Sequence, residues 1–518
     1  MPLSGDIPYG IGMLRSLEEL FLSYNVFVEL IPQSIGNLTK LITLHLDTNN
    51  LSGPIPQEIG FLRSLNSLDL STNNLEGLIP HSIGNLRNLT NLCLYKNNIS
   101  GSIPQEIGLL RSLNDLVLSI NNLSGPIPSF IGNLRNLTTL SLYTNKLSSS
   151  IPQEIGLLRS LNSLDLSINN LEGPIPSSIG NLRNLTGLYL YKNDLSGSIP
   201  QEIGLLRSLN DLVLSINNLN GPIPPSIGNL MNLTSLSLHH NKLSGSIPLE
   251  MDNLIHLKSL QLGENNFTGH LPQQICLGGA LENFTALVNN FTGPIPTSLR
   301  NCTSLVQVRL EQNQLRGNIT EAFGVYPNLS YMDLSYNNLY GELSQEWGQC
   351  HSLTSLKISN NNLSGVLPAQ LGEAIQLHQL DLSSNHLLGK IPRELGKLTS
   401  MFHLALSDNH LSGNIPWEVT NLVNLEHLSL ASNNLSGSIP KQLGKLSKVF
   451  FLNLSKNEFG DSIPDEIGNI HSLQSLDLSQ NMLNGKIPPQ LGELQRLEAL
   501  NLSTMNSLVP SHPLLKIC

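Results

Sequence analysis

The sequence predicts an α/β repeat solenoid of about twenty 24-residue turns, with parallel strands lining its concave face, and three observations carry that prediction. Asparagine recurs every 24 residues from Asn25 to Asn481, through Asn49, Asn73, Asn97 and Asn121, without insertion or deletion. An apolar frame recurs with it. Inside that frame leucines alternate with polar residues at the period of a strand that has one buried and one exposed side. A register this strict means stacked units, each of which buries its apolar face against its neighbours.

Each part of the frame has a physical role. One turn carries it at Leu86, Leu89, Leu92, Leu94, Asn97, Ile99, Gly101, Ile103, Pro104, Ile107 and Gly108, which generalises to LxxLxxLxLxxNxLxGxIPxxIGx. That pattern is a leucine-rich repeat, a strand followed by a short helical or irregular return. Leu92 and Leu94 alternate with Asn91, Cys93 and Tyr95, the strand signature. An inward asparagine amide can donate to and accept from backbone groups where the strand bends away. Glycine at the next bend tolerates unusual dihedrals, and Ile-Pro favours an extended return.

No linker, charge block or low-complexity tract interrupts the 518 residues, so residues 1–502 are expected to form one solenoid domain. At strand spacing twenty turns would span roughly 90 to 100 Å. Met1 falls where a ladder asparagine belongs, so the chain opens in mid-repeat. At the other end Met505 replaces the asparagine, and residues 503–518 form a non-repeat tail. Neither end has a recognisable cap, which predicts a fragment or truncated product of poor solubility.

Composition narrows the function. The formal charge is -10, from 28 Lys plus Arg against 38 Asp plus Glu, and without a basic stripe nucleic-acid binding is not expected. No apolar run is long enough for a membrane span, and the N-terminus lacks a secretory signal. Yet eighteen N-x-S/T sequons occur, among them Asn37, Asn88, Asn136, Asn184, Asn232, Asn283, Asn301, Asn328 and Asn434. They predict an extracellular, glycosylated parent protein, although a repeat rich in Asn, Leu and Ser also creates such triplets by chance. Five cysteines are too few for a disulfide framework. Stacking places Cys276 beside the turn that holds Cys302, so a bridge between them is geometrically allowed; two buried thiols are the alternative.

Catalytic patterns are absent: there is no HExxH, no GxSxG, no glycine-rich nucleotide loop, and no kinase HRD or DFG. No enzyme activity and no cofactor is expected. His239 and His240 are sequence neighbours on a strand without an obvious third ligand, so no metal site is expected.

The segments LSGPIPQEIG, LSGSIPKQLG and LSGNIPWEV are typical of the plant-specific class of leucine-rich repeat, and residues 1–502 resemble the ectodomain of a plant leucine-rich-repeat receptor-like kinase. More narrowly, ICLGGALENFTALVNNFTGPIPTSLRNC from Ile275 to Cys302, with ITEAFGVYPNLSYMDLSYNNLYGELSQEWGQC after it, resembles the male-discoverer-interacting branch. The resemblance implies perception of a secreted peptide at the extracellular face of the plasma membrane and a somatic-embryogenesis-type co-receptor. It also implies a membrane span and a cytoplasmic serine/threonine kinase. The family's cysteine-paired caps, span and kinase do not occur in this sequence.

A ligand would meet the exposed positions six, four, two and one residues before each ladder asparagine. In the N-terminal half these positions echo with a longer period of 96 residues: Asp69 matches Asp165, Tyr95 with Lys96 matches Tyr191 with Lys192, and Asp115 matches Asp211. A specific site needs a unique constellation, and the echo ends after Asp211. The candidate ligand-binding track runs from the end of the echo, at Tyr189, Tyr191, Lys192 and Asp211, into the unlike turns that follow, at Ser237, His239, His240, Gln261, Glu264, Arg309, Glu311, Asp333 and Tyr336, with Lys357 beyond them. Arg309 can pair with a peptide carboxylate; Asp211, Glu264 or Asp333 can accept from hydroxyls, amides or a terminal amine.

A second patterned face is the run Arg63, Arg87, Arg111, Arg135, Arg159, Arg183 and Arg207, with Glu58, Glu106, Glu154 and Glu202 in alternate turns to offset the repulsion. Repeat duplication accounts for it, with an acidic partner or wall polymer as the alternative. Two other functions compete with the receptor ectodomain: a free-standing interaction protein, like the inhibitors of wall-degrading enzymes, and a nonfunctional truncated receptor or decoy.

Overall fold

The computed structural model describes residues 1–504, in two compact units that divide between Thr268 and Gly269. The tail from Met505 to Cys518 lies outside the described residues.

In the first unit three-residue strands run from Glu19–Phe21 to Ser259–Gln261, one per turn, each parallel to the next. Residues pair with their counterparts 24 positions on: Asp115 with Thr139, Leu116 with Leu140, Val117 with Ser141. The middle leucine is buried and its two neighbours face outward, as the alternation predicts. Leu86, Leu89, Leu92, Leu94, Ile99, Ile103 and Ile107 of a single turn are all buried. Each such side chain contributes about 1.5 to 3 kcal/mol, so the stacked apolar frame is the main source of stability.

The ladder asparagines join turn to turn. Asn97 Oδ1 accepts from Leu75 N at 3.0 Å, while its Nδ2 donates to Leu70 O at 3.0 Å in the preceding turn and to Leu94 O at 3.2 Å in its own. Leu94 O also accepts from Asn121 Nδ2 at 2.9 Å. Each such carbonyl therefore serves two amides, whereas each leucine N–H has one asparagine acceptor.

The residue just before each ladder asparagine has a left-handed backbone, with φ 58° at Lys96, 52° at Ile120 and 54° at Ile216. The strands end four residues before the asparagine, so the last two exposed positions of each turn belong to the bend and not to the strand. That corrects the placement of His239 and His240, which follow the strand Ser235–Ser237.

The extended return is itself a paired layer. Asn98–Gly101 lies parallel to Asn74–Gly77, with Glu76 opposite Asn98 and Gly77 opposite Ile99. Gly101 closes that strand at φ 76°, the conformation glycine adopts without steric cost. Pro104 then sets the extended entry to a 3-10 helix, Gln105–Leu109. Gly108 in that helix is required by the stack, because a Cβ there would lie 2.7 Å from the backbone oxygen of Phe130 in the next turn.

The second unit repeats this plan from Asn283–Thr285 to Ala499–Asn501. It departs at Ile319–Ala322, an α-helical turn capped by Asn318 Oδ1 accepting from Thr320 N at 3.0 Å. Beside it Tyr326 is buried, donating from Oη to Leu299 O at 2.9 Å and accepting from Gly324 N. Cys276 and Cys302 are disulfide-bonded, with Cα atoms 6.0 Å apart, and Cys350 is a buried free thiol.

Candidate functional site

The candidate residues lie on the strand face and its adjoining bend, and they form separate groups within each unit. In the first unit Tyr189 ends the strand Gly187–Tyr189 and donates from Oη to Asp211 Oδ2 at 3.2 Å. Gly187 makes room for this, since a Cβ there would meet the Tyr189 ring edge at 2.6 Å. Burial, then the Asp211 charge, raises the Tyr189 pKa. Tyr191 and Lys192 lie in the bend, Lys192 exposed.

Two turns on, Ser237 is buried and donates to Gln261 Oε1 at 2.9 Å, with Ser215 Oγ 3.2 Å and His239 Nδ1 3.0 Å away. Burial lowers the His239 pKa, so its ring is neutral near pH 7. His240 turns instead to Glu264, Nδ1 to Oε2 at 2.6 Å, in an exposed pair. The two histidines thus have different partners. Among the described residues no three His, Cys, Asp or Glu side chains form a group that could hold a metal ion.

In the second unit Arg309 binds Glu311 Oε1, through Nε at 2.9 Å and through Nη2. Burial disfavours the Arg309 charge, but the Glu311 hydrogen bond and charge outweigh it and the pKa is raised. Tyr331 lies between cations of the turns before and after it, its ring centroid 5.8 Å from the Arg309 guanidinium carbon and 5.5 Å from Lys357 Nζ. Asp333 Oδ1 accepts from Ser335 N at 3.0 Å. Glu311 is only 7% exposed, its Oε2 has no hydrogen-bond partner, and burial, then the Asp333 charge, raises its pKa. Glu311, Asp333 and Tyr336 line a hollow of about 290 Å³ with Lys357 and Asp381.

Further along the same face His403 stacks on His427 with centroids 4.3 Å apart, and His427 on Phe451 at 4.3 Å. Burial, then the His403 charge, brings the His427 pKa down to about 4. This column, and Asp381, are absent from the sequence-based candidates. The signal for them lies in two strand slots, six and four residues before the ladder asparagine, which continue to be filled by unlike residues beyond Tyr336.

The remaining positions are placed as follows. Asn37, Asn88, Asn136, Asn184, Asn232, Asn301, Asn328 and Asn434 are exposed, whereas Asn283 is half-buried in the strand Asn283–Thr285. Asn88, Asn136, Asn184 and Asn232 donate from Nδ2 to the carbonyls of Arg63, Arg111, Arg159 and Arg207 at 3.0 to 3.2 Å. The seven arginines of that face are exposed, and Glu106 pairs with His81 at 2.8 Å. On the strand face burial pushes the Cys93 thiol up to about 11, leaving it uncharged near neutral pH. Among the described residues no helix is long and apolar enough to cross a membrane.

Stacked turns with an asparagine ladder and a variable strand face define a leucine-rich-repeat protein. The leucine-rich repeat family model matches eleven stretches: 16–38, 40–62, 64–86, 88–110, 136–158, 160–182, 232–254, 352–374, 376–398, 424–446 and 472–494. No curated protein sequence matches the chain significantly. Among solved structures, the plant peptide hormone receptor RGFR1 in complex with RGF2 is 37% identical. The match covers 97% of this chain and 88% of that one, with a TM-score of 0.85. The Arabidopsis receptor kinase HAESA, in complex with the peptide hormone IDA and the co-receptor SERK1, is 36% identical over 99% of this chain and 87% of that one, with a TM-score of 0.92. PEPR1 in complex with AtPEP1 is 34% identical over 97% and 78%, with a TM-score of 0.81. The chain belongs to the leucine-rich-repeat ectodomains of plant receptor kinases.

Proposed function

We propose that residues 1–502 are the ligand-binding ectodomain of a receptor of the male-discoverer-interacting branch, which senses a secreted peptide on its strand face. The observation that carries this is the replacement of the echoing strand surface by unlike polar and aromatic groups. In the first unit these are Ser237 with Gln261 and His239, and His240 with Glu264, next to the last echoing carboxylate, Asp211, to which Tyr189 donates. In the second they are Arg309, Glu311, Tyr331 and Asp333. Strand-face side chains of mixed charge can bind an extended peptide through its backbone and polar groups, giving specificity without a deep cleft. The hormone complexes of the related receptors support this reading, and the co-receptor in one of them supports signalling through a somatic-embryogenesis-type partner. The exposed sequon asparagines fit a glycosylated extracellular surface, and kinase activity belongs to a cytoplasmic domain of the parent receptor.

The test is affinity capture of secreted plant peptides by the purified chain, followed by titration of the retained peptide. Asp211→Asn, His240→Ala, Glu264→Gln and Arg309→Gln are each substituted singly. At least one should weaken binding about tenfold, the effect of losing one charge-assisted hydrogen bond. Wild-type affinity in all four variants would sink the proposed face.

A further inference from the structure

Deepening that reading, on which it rests, we propose that the hollow between Glu311 and Asp381 is a subsite for a cationic group of the bound peptide, a guanidinium or an ammonium. In the central column of the strand face Arg309 pairs in register with Asp333, Asp333 with Lys357, and Lys357 with Asp381. This alternation balances its own charge. Glu311 breaks the balance. Its slot holds Ser335, Ser359, Ser383, Ser407 and Ala431 in the following turns, so the hollow gains a carboxylate where its neighbours have hydroxyls. Three carboxylates then face two cations, and one negative charge is left in excess.

Both cations are already engaged, Arg309 by Glu311 Oε1 and the Tyr331 ring, Lys357 by the other approach to Tyr331. The Glu311 side chain is 9% exposed, and its Oε2 has no partner. A buried carboxylate oxygen without a donor is costly, and a ligand N–H group would remove that cost. Asp381 spends Oδ1 on the Ser383 N–H and hydroxyl. Its second oxygen and the hydroxyls of Ser335 and Ser359 give further acceptors of the kind a planar guanidinium or a tetrahedral ammonium needs. An anion would meet the excess negative charge and is disfavoured by the same geometry.

The experiment uses the full chain and three short probes, each with a neutral fluorophore at a blocked C-terminus, read by fluorescence anisotropy. Acetyl-Gly-Arg-Gly presents only a side-chain guanidinium, Gly-Gly-Gly with a free N-terminus presents only an α-ammonium, and acetyl-Gly-citrulline-Gly is the neutral isostere. At least one cationic probe should bind, and the citrulline probe should bind at least about tenfold more weakly than the arginine probe if the source is a side chain. E311Q and D381N should each weaken the cationic probe by about tenfold or more, while D477N, in the same column outside the hollow, should leave it unchanged. D381N preserves the local turn, because Asn453 Oδ1 holds Ser455 in the same way, so its failure to respond cannot be attributed to misfolding. Equal affinity for charged and neutral probes, no binding of either cation, or wild-type affinity in both hollow variants would overturn the subsite. Peptide capture that persists in that case would leave the receptor reading standing without it.

Discussion

Replacing Asn217 with alanine should loosen the first unit locally and by a calculable amount. Asn217 is 7% exposed; its Oδ1 accepts from Leu195 N at 3.0 Å and its Nδ2 donates to Leu190, Leu214 and Ser215 carbonyls at 3.0 to 3.2 Å. The losses are unequal. Leu190 O keeps Asn193 and Leu214 O keeps Asn241 as donors, but Leu195 N–H loses its acceptor in a buried place. One orphaned buried donor costs about 1 to 3 kcal/mol, and the weakened carbonyls add about 1 kcal/mol, for a total of about 2 to 4 kcal/mol. In a solenoid this acts mainly on the turns that hold residues 190–220. Hydrogen exchange followed by mass spectrometry should show the Leu195 amide losing protection by about 30-fold to 1000-fold, with distant turns little changed. Asn181→Ala, at an exposed position, should change stability by no more than about 0.5 kcal/mol. Protection at Leu195 that falls less than about fivefold, or falls equally everywhere, would refute the ladder as the device that couples the turns.

Gly180→Ala would place a Cβ 2.5 Å from Glu202 O in the next turn and should cost about 1 to 3 kcal/mol in a thermal or urea melt; a neutral result would mean that the turns separate freely there. Ile216, β-branched yet held at φ 54°, pays for a conformation that asparagine tolerates, so Ile216→Asn should stabilise by about 0.5 to 1 kcal/mol in the same melts. His427, lowered to about 4 from its ordinary 6.5, stays neutral when the unfolded chain has taken up a proton, so its contribution to stability falls as pH drops from 6.5 towards 4. His403 and Asp381 face it, and Lys357 lies near His403. Because the ring is half exposed, about 1 to 2 kcal/mol is expected rather than the full value of the shift. His427→Gln should flatten the acid limb of a stability–pH curve by that amount, and an unchanged limb would exclude the stack as its source.

The period, the core and the role of the asparagine amide are legible in the sequence because each repeats with the apolar frame. Less visible is which turn the amide serves. The separations of 22 and 27 residues between Asn97 and its partners Leu75 and Leu70 follow from how far one coil advances over the next. The left-handed residue before each asparagine is hidden for another reason. Lysine, threonine, isoleucine and histidine all occupy that slot, so only the backbone shows that the strand has already ended. Glu311 is visible as an exposed-slot carboxylate, but its burial depends on Arg309 and Asp333 around it. The column of His403, His427 and Phe451 leaves even less trace, since each is a single substitution in a common strand motif, and stacking appears only when turns 24 residues apart are brought together.

The direction of the amide bonds has a consequence for how such chains can change. Ladder asparagines such as Asn73, Asn97 and Asn121 reach back to the coil before them, so a coil borrows an acceptor from the one that follows. A cut or insertion within a coil leaves one lender and one borrower unmatched, whereas copying whole coils restores every bond. The 96-residue echo between Asp69 and Asp165, and between Asp115 and Asp211, is a copy of four complete coils. The scaffold can therefore be lengthened like a zip with identical teeth, while selection alters only the outward side chains that give each tooth its chemistry.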